Sequence, residues 1–380
     1  MKSLIVYRDD LLCSSETFIL AQAEALSGFK PVYLGLRRRT GLQVPEDRQH
    51  VISSEGLSGK TQRLRFRLAG PSKELIRQLA ELRPQLVHAH FGPDACNAMA
   101  FARALSIPLV VSLHGYDVTL ADEHHVSSYV RRRKKLAETA VLFLCISEFI
   151  REQAIEKGFP PEKCVVHYTG VDTQFFTASP TLKRTPTVLF VGRLVAKKGC
   201  EYLIHAMRQV QENVPGTELV IIGDGPLRRQ LEQQAAATLT NFRFLGVQEP
   251  GIVKRWMNCA RVLCTPSVVA ASGDAEGFGM VFAEAQSMGL PVVSFRTGGV
   301  PEAVADGQTG MLAPPGDPQT LARQIELLVT CESMWERFSA QGRERVKDLF
   351  NLRKQSALLE QLYESVLSGT DQTFASAAHA

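Results

Sequence analysis

Two carboxylates, Glu276 and Glu284, stand at either end of the run Gly277-Phe278-Gly279-Met280-Val281-Phe282-Ala283. Glycines at 277 and 279 let the backbone come close to a ligand and leave the first N–H groups of a following helix without partners. Such a helix start is an anion site, and a diphosphate is its obvious occupant. The helix-forming run stops at Gly289, a C-terminal cap, before Pro291. Carboxylates repel phosphate. Glu276 at the mouth and Glu284 about two turns deeper are therefore placed to accept hydrogen bonds from hydroxyls on either side of it. Sugar, diphosphate and ribose in that order describe a nucleotide sugar. Read alone, the run is also an ordinary amphipathic helix with Val281, Ala285 and Met288 as its core stripe. Its neighbours in the chain decide between the two.

Arg193 and Lys198 lie in one short loop after an apolar strand. Fixed cations there would stabilise the charge that a diphosphate leaving group gains as its bond to the sugar breaks. They can replace a divalent metal, and the chain has no Asp-x-Asp to chelate one. His114 follows a buried strand and precedes Gly115, a place for a side chain that touches the donor sugar or shapes the position of an attacking hydroxyl. His88 and His90 alternate along a strand, so one of them faces the site, and the preference falls on His90. Tyr168 and Asp172 read as structural. In open parallel sheets ligands bind beyond the carboxyl ends of the strands. His90, His114, Arg193, Lys198, Gly223, Glu276 and Gly298 all stand at such ends.

The elements that must carry these residues are short apolar strands alternating with helical patterns, which predicts α/β architecture with doubly wound parallel sheets. Strands are expected at 4–7, 31–36, 85–89, 108–113, 140–146 and 164–167, with helices at 73–82, 95–105 and about 127–137. Ser14-Ser15-Glu16-Thr17 caps a further helix that runs toward Leu26, and Ser147 caps another. Residues 40–70 resist assignment. The pattern lapses at 177–187, the expected linker, and a fresh series follows with strands at 188–191, 218–222, 262–264 and 291–295. This gives a first domain over 1–177, a second over 186–345, a helical stretch over 335–366 whose last part (346–369) returns to the first domain, and a disordered tail at 370–380.

Among 380 residues, 45% are apolar and 22% charged, the balance of a soluble globular protein with room for two domains. The 8 cysteines form no Cys-x-x-Cys and are expected as reduced thiols in a cytoplasmic protein. Neither a signal peptide nor an apolar run of membrane-spanning length is evident. Residues 1–180 hold 23 Lys/Arg against 19 Asp/Glu, so the whole net charge of +4 lies in the first half. That permits docking on the anionic cytoplasmic face of the inner membrane. Nucleic acid is not indicated, because the basic runs lack interleaved aromatics.

The motifs taken together resemble the retaining glycosyltransferases of family 4, which have the GT-B architecture of two Rossmann-like domains facing a central cleft. The resemblance rests on Gly192-Arg193-Leu194 with Lys198-Gly199, Gly223-Asp224-Gly225-Pro226, Thr265-Pro266-Ser267, Glu276 through Glu284 and Gly298-Gly299-Val300-Pro301-Glu302. In the first half, His114-Gly115-Tyr116-Asp117, Ser147-Glu148 and Gly170-Val171-Asp172 fit the same pattern. Ser15-Glu16-Thr17-Phe18 and His88-Ala89-His90-Phe91-Gly92 resemble exopolysaccharide transferases of the colanic acid kind. Many relatives carry Gly-Gly where Ser14-Ser15-Glu16 stands here. The resemblance implies sugar transfer with retention from a UDP- or GDP-sugar to a glycan or a polyprenyl-diphosphate-linked oligosaccharide, without metal or other cofactor. It implies that Arg193 and Lys198 hold the diphosphate, helped by backbone N–H groups of Gly277, Phe278, Gly279 and Met280 and by the Gly223 and Gly225 loop. Glu284 would take the ribose, Glu276 the donor sugar, and His114 would line the sugar site. Glu16, His90 and Asp117 are the acceptor-side candidates. A nucleotide-sugar epimerase and a non-catalytic two-domain sugar-binding protein are the competing readings.

Overall fold

The computed structural model describes residues 1–13, 16–38, 41–53, 56–179 and 183–369. The cap at Ser14-Ser15 and the tail 370–380 lie outside the described residues. The chain divides into two compact units, one made of residues up to 170 and from Leu352 onward, the other of 171–351.

The first unit holds seven parallel strands: β1 (Lys2–Leu11), β2 (Phe29–Arg38), β3 (Gln49–Ser53), β4 (Pro84–His90), β5 (Leu109–Leu113), β6 (Leu142–Cys145) and β7 (Cys164–Val166). Their spatial order is β3-β2-β1-β4-β5-β6-β7. Chain direction across the sheet reverses between β1 and β4, which makes that crevice the topological switch point. Helices cover both faces, so the central strands are apolar throughout rather than alternating, as in the LVVSL of β5. The second unit repeats the design with six strands: β8 (Thr187–Val191), β9 (Glu218–Ile222), β10 (Phe242–Gly246), β11 (Val262–Cys264), β12 (Val292–Phe295) and β13 (Gly310–Ala313). Their order is β10-β9-β8-β11-β12-β13, with the switch point between β8 and β11. Val188 on β8 faces Leu219 on β9 and Val262 on β11.

Three features differ from the sequence reading or go beyond it. The unassigned 40–70 stretch contains β3 and the helix Gly56–Ala69. That helix carries Lys60, Arg63, Arg65 and Arg67, exposes Leu64 and Leu68, and buries Phe66, so its sequence shows little apolar periodicity. The single helical stretch over 335–366 is broken into Glu332–Leu349 and Leu352–Ser368. Phe350 leaves helical geometry to bury its ring against Phe278, and its carbonyl accepts from Val171 N at 2.7 Å. The second unit begins at Val171, ahead of the expected linker, because residues 171–179 are tied to it. Ser287 Oγ donates to Phe176 O, and Ser179 N donates to Asn258 Oδ1.

The helix Leu352–Ser368 packs on the first unit. Tyr363 is fully buried, with its ring edge-on to Phe29 and its hydroxyl 2.6 Å from His88 Nδ1. Glu360 accepts from the backbone amides of Ser27 and Gly28, and His167 Nε2 donates to Gln355 O. All eight cysteines are free thiols.

Candidate active site

In the second unit the loops that leave β8, β9, β11 and β12 converge at the switch point, and glycine makes the convergence possible. A Cβ on Gly223 would lie 1.9 Å from the carbonyl oxygen of Gly192, and one on Gly225 would lie 2.5 Å from that of Leu194. The bonds Gly192 N to Ile222 O and Leu194 N to Asp224 O close the same seam. Gly199, at φ +61°, would place a Cβ 1.9 Å from Pro266 O, so only glycine lets the β8 loop rest on the β11 loop. On the far side, Thr297 Oγ1 donates to Ser267 O and Gly299 N to Glu276 O, which braces the β11 loop from β12.

This packing brings Lys198 and Glu276 together. The Lys198 ammonium is bonded to Glu276 Oε2, which also accepts from Ser267 Oγ at 3.2 Å. Burial pushes the Glu276 carboxyl up, but Lys198, Lys197 and the two hydrogen bonds more than offset it, so the group stays below its ordinary range. Lys197 pairs with Asp274 at 2.9 Å. Arg193 stands exposed, and its guanidinium has no partner among the described residues.

The helix Met280–Ser287 starts from Gly279 at φ +84°, where a Cβ would strike the Phe282 ring. It is buried over most of its circumference through Phe282, Ala283, Ala285, Gln286 and Ser287, a wider contact than the expected stripe, and Val281 is only half-buried. The amides of Gly279, Met280 and Val281 have no acceptor among the described residues. Phe278 is buried against Phe350, and Gly289 ends the helix at φ +62°. Half-buried Glu284 makes no side-chain hydrogen bond among the described residues, and burial pushes its carboxyl up to about 7. The result is a helix start flanked by an unpaired arginine, a lysine–glutamate pair and an unsatisfied carboxylate. Those groups match the phosphate and hydroxyl parts of one ligand.

In the first unit an ionic cluster sits at the switch point between β1 and β4. Arg8, in β1 just past its last pairing with β4, bonds both Glu16 and Asp94. Burial works against its charge, and Asp94 and Glu16 more than offset this. Glu16 also accepts from Cys13 N, so both its oxygens are engaged. Arg8 stacks on Phe91, 4.4 Å from the ring centre. Phe91 has φ +69° and ψ 136°, a conformation rare outside glycine, and starts the helix Gly92–Leu105. Around it stand Tyr116 and His114, with Phe18 against the far side of His114. Asp117 is wholly buried and accepts from the amides of Gly92, His114 and Gly115, which ties the β4 and β5 ends together.

The premise that His88 and His90 point to opposite sides of the strand is corrected. Residues two apart on a strand share a face, and their rings lie 4.3 Å apart. They differ instead in partners. His88 bonds Tyr363 and Ser112 Oγ inside the core, while His90 Nδ1 lies 3.0 Å from His114 Nε2. Asp172 is structural as expected, accepting from Gln174 N and Phe175 N. The basic run at 131–135 is partly consumed within the fold, Arg132 on Asn97 and Cys96 O, Arg133 on Asp122. Sequence reasoning missed Arg8, Asp94, Lys197 and Asp274. A charged residue closing the apolar run of β1 was the available signal for Arg8.

Two doubly wound parallel sheets, with an anion-ready helix start and fixed cations at a switch point, are the architecture of the GT-B fold. The model of the family described as Glycosyl transferases group 1 matches residues 172–345, and that of Glycosyltransferase Family 4 matches residues 16–175. The chain belongs to this glycosyltransferase family. It is 30% identical over 285 residues to the amylovoran biosynthesis glycosyltransferase AmsK of Erwinia amylovora, covering 73% of this chain and 70% of that one. It is 31% identical over 290 residues to a Salmonella typhimurium protein named as the colanic acid biosynthesis glycosyltransferase WcaL, with the same two coverages. In fold it is similar to the crystal structure of Anabaena HepE in complex with UDP and glucose, with a TM-score of 0.79 at 20% identity, over 96% of this chain and 100% of that chain.

Proposed function

We propose that the chain transfers a hexose, with retention of anomeric configuration, from a UDP- or GDP-sugar to a hydroxyl of a glycan or a polyprenyl-diphosphate-linked oligosaccharide. The likeness to AmsK and WcaL supports a place in exopolysaccharide or cell-envelope polysaccharide synthesis. The observation that carries the reading is the grouping around one helix start of free Arg193, the Lys198–Glu276 pair and unpaired Glu284. Arg193 and Lys198 take the diphosphate and stabilise its charge as the glycosidic bond breaks, the work a metal does elsewhere. Glu284 accepts from the ribose hydroxyls and Glu276 from the sugar. The acceptor hydroxyl attacks from the face the diphosphate leaves, and the departing phosphate oxygen takes its proton, so no separate base is needed.

Thermal stabilisation of the chain by a panel of nucleotides and nucleotide sugars, with and without a chelator, tests this. One diphosphate sugar is expected to stabilise the wild type with the chelator present and to lose most of that effect in Glu284→Ala. Indifference to every member of the panel would sink the reading, and stabilisation only without chelator would restore a metal.

The basic helix Gly56–Ala69, with Leu64 and Leu68 exposed among four cations, suits a peripheral contact with an anionic cytoplasmic leaflet. Among the described residues no helix is long and apolar enough to cross a membrane. Retention on vesicles of phosphatidylglycerol at low salt, lost in Leu64→Ser/Leu68→Ser, is the expected result. A protein that stays in solution at low salt has no such contact.

A further inference from the structure

Two consecutive lysines of the β8 loop face two carboxylates of the β11 loop. Lys197 Nζ lies 2.9 Å from Asp274 Oδ1, and Lys198 is bonded to Glu276 Oε2. Val268 N donates to Lys197 O at 2.8 Å, and Gly199 rests on Pro266 O, so the loops hold a fixed register. All four side chains are at least three-quarters buried, where the choice of partner weighs more than it does in open water. Lys197, the neighbour in sequence of the lysine bonded to Glu276, also helps to hold that carboxylate ionised. Glu276 Oε1 makes no hydrogen bond among the described residues.

We propose that Asp274 is a positioning residue that holds Lys197 away from Glu276, leaving Oε1 open to a hydroxyl of the donor sugar. Lys197 acts reciprocally by occupying Asp274, which would otherwise draw Lys198 away from the diphosphate. This rests on the reading of Lys198 and Glu276 as donor-site groups. A brace that served only stability would respond alike to loss of either partner. Here the two losses act in opposite directions on an anionic ligand. Asp274→Asn frees a cation beside the diphosphate site and strengthens nucleotide binding, yet slows turnover because Lys197 moves onto Glu276. Lys197→Met leaves an unpaired carboxylate beside Lys198 and weakens nucleotide binding.

The test titrates UDP and GDP against the full chain and follows nucleotide release from UDP-glucose and GDP-mannose. Relative to wild type, Asp274→Asn is expected to lower the Kd for the bound nucleotide about threefold and Lys197→Met to raise it about threefold, the scale of a partly exposed ion pair. Lys197→Arg and the double variant Lys197→Met/Asp274→Asn are expected to return Kd close to wild type. If wild type binds UDP or GDP and both single variants weaken binding, or neither changes it, the positioning role is overturned while the donor site stands. If wild type binds neither nucleotide, the donor-site reading fails and takes this proposal with it.

Discussion

Glu284 is held at the edge of ionisation. Burial without a partner raises its carboxyl from 4.5 to about 7, so ionising it works against the fold. Stability from this group falls as pH rises from 4.5 through 7. A ligand that donates hydroxyl hydrogen bonds to the carboxylate favours the charged form and offsets that loss. Affinity for the nucleotide is therefore expected to rise with pH up to about 7 and then level off. Below that point it should change by up to about tenfold per pH unit. Because the diphosphate titrates too, the comparison is with Glu284→Gln. Titration calorimetry from pH 5.5 to 8.5 should give a steeper rise in the wild type, and equal slopes would remove Glu284 from the site. At this scale the sequence displayed the residues with unusual surroundings, Glu276, Glu284, Arg193 and Lys198, because glycines and strand ends mark them. It hid Asp274 and Asp94, whose meaning depends on partners brought close by folding, with Asp94 86 residues from Arg8.

At the scale of elements, the four loops of the second unit work as one because glycines let backbone lie on backbone. Gly223→Ala has to move the Gly192 carbonyl or the β9 loop and also adopt φ +134°. It is expected to cost at least about 2 kcal/mol and to abolish nucleotide stabilisation. Gly251→Ala, in the helix Pro250–Cys259 with nothing near its added methyl, is the control and should be neutral or raise stability by up to about 1 kcal/mol. Chemical denaturation of both variants checks the pair, and equal losses would mean the close approach is not what Gly223 supplies. Strand and helix positions here were mostly legible, since short apolar runs alternate with longer helix-forming stretches and turn residues mark their ends. The helix Gly56–Ala69 and the break at Phe350 were not. The first has a polar sequence and buries Phe66 beneath exposed Leu64 and Leu68, and the second goes with a contact to Phe278 far away in the chain.

At the scale of the whole molecule, the first unit hides a set of histidines that the fold requires to be neutral. Burial lowers His88 to about 3, and His90, His114 and His167 are lowered as well, mainly by burial. A base depressed in the folded state stabilises fully above its unfolded value of 6.5 and loses that contribution as pH falls toward the folded value. The thermal midpoint of unfolding is thus expected to drop steeply between pH 6.5 and 4. His88→Gln, which keeps a neutral polar group beside Tyr363 and Ser112, should show a shallower acid limb. An unchanged slope would assign the acid sensitivity to other groups.

The same histidine joins β4 to a helix that follows the entire second unit in the chain. The order of synthesis therefore differs from the order of the architecture. A ribosome releases 171–351 as an uninterrupted segment, while the unit begun first still lacks the helix that packs with Leu4, Phe29 and His88. Until that helix arrives, part of an apolar core is open to the cell. The half made earliest is thus the last to have its core closed.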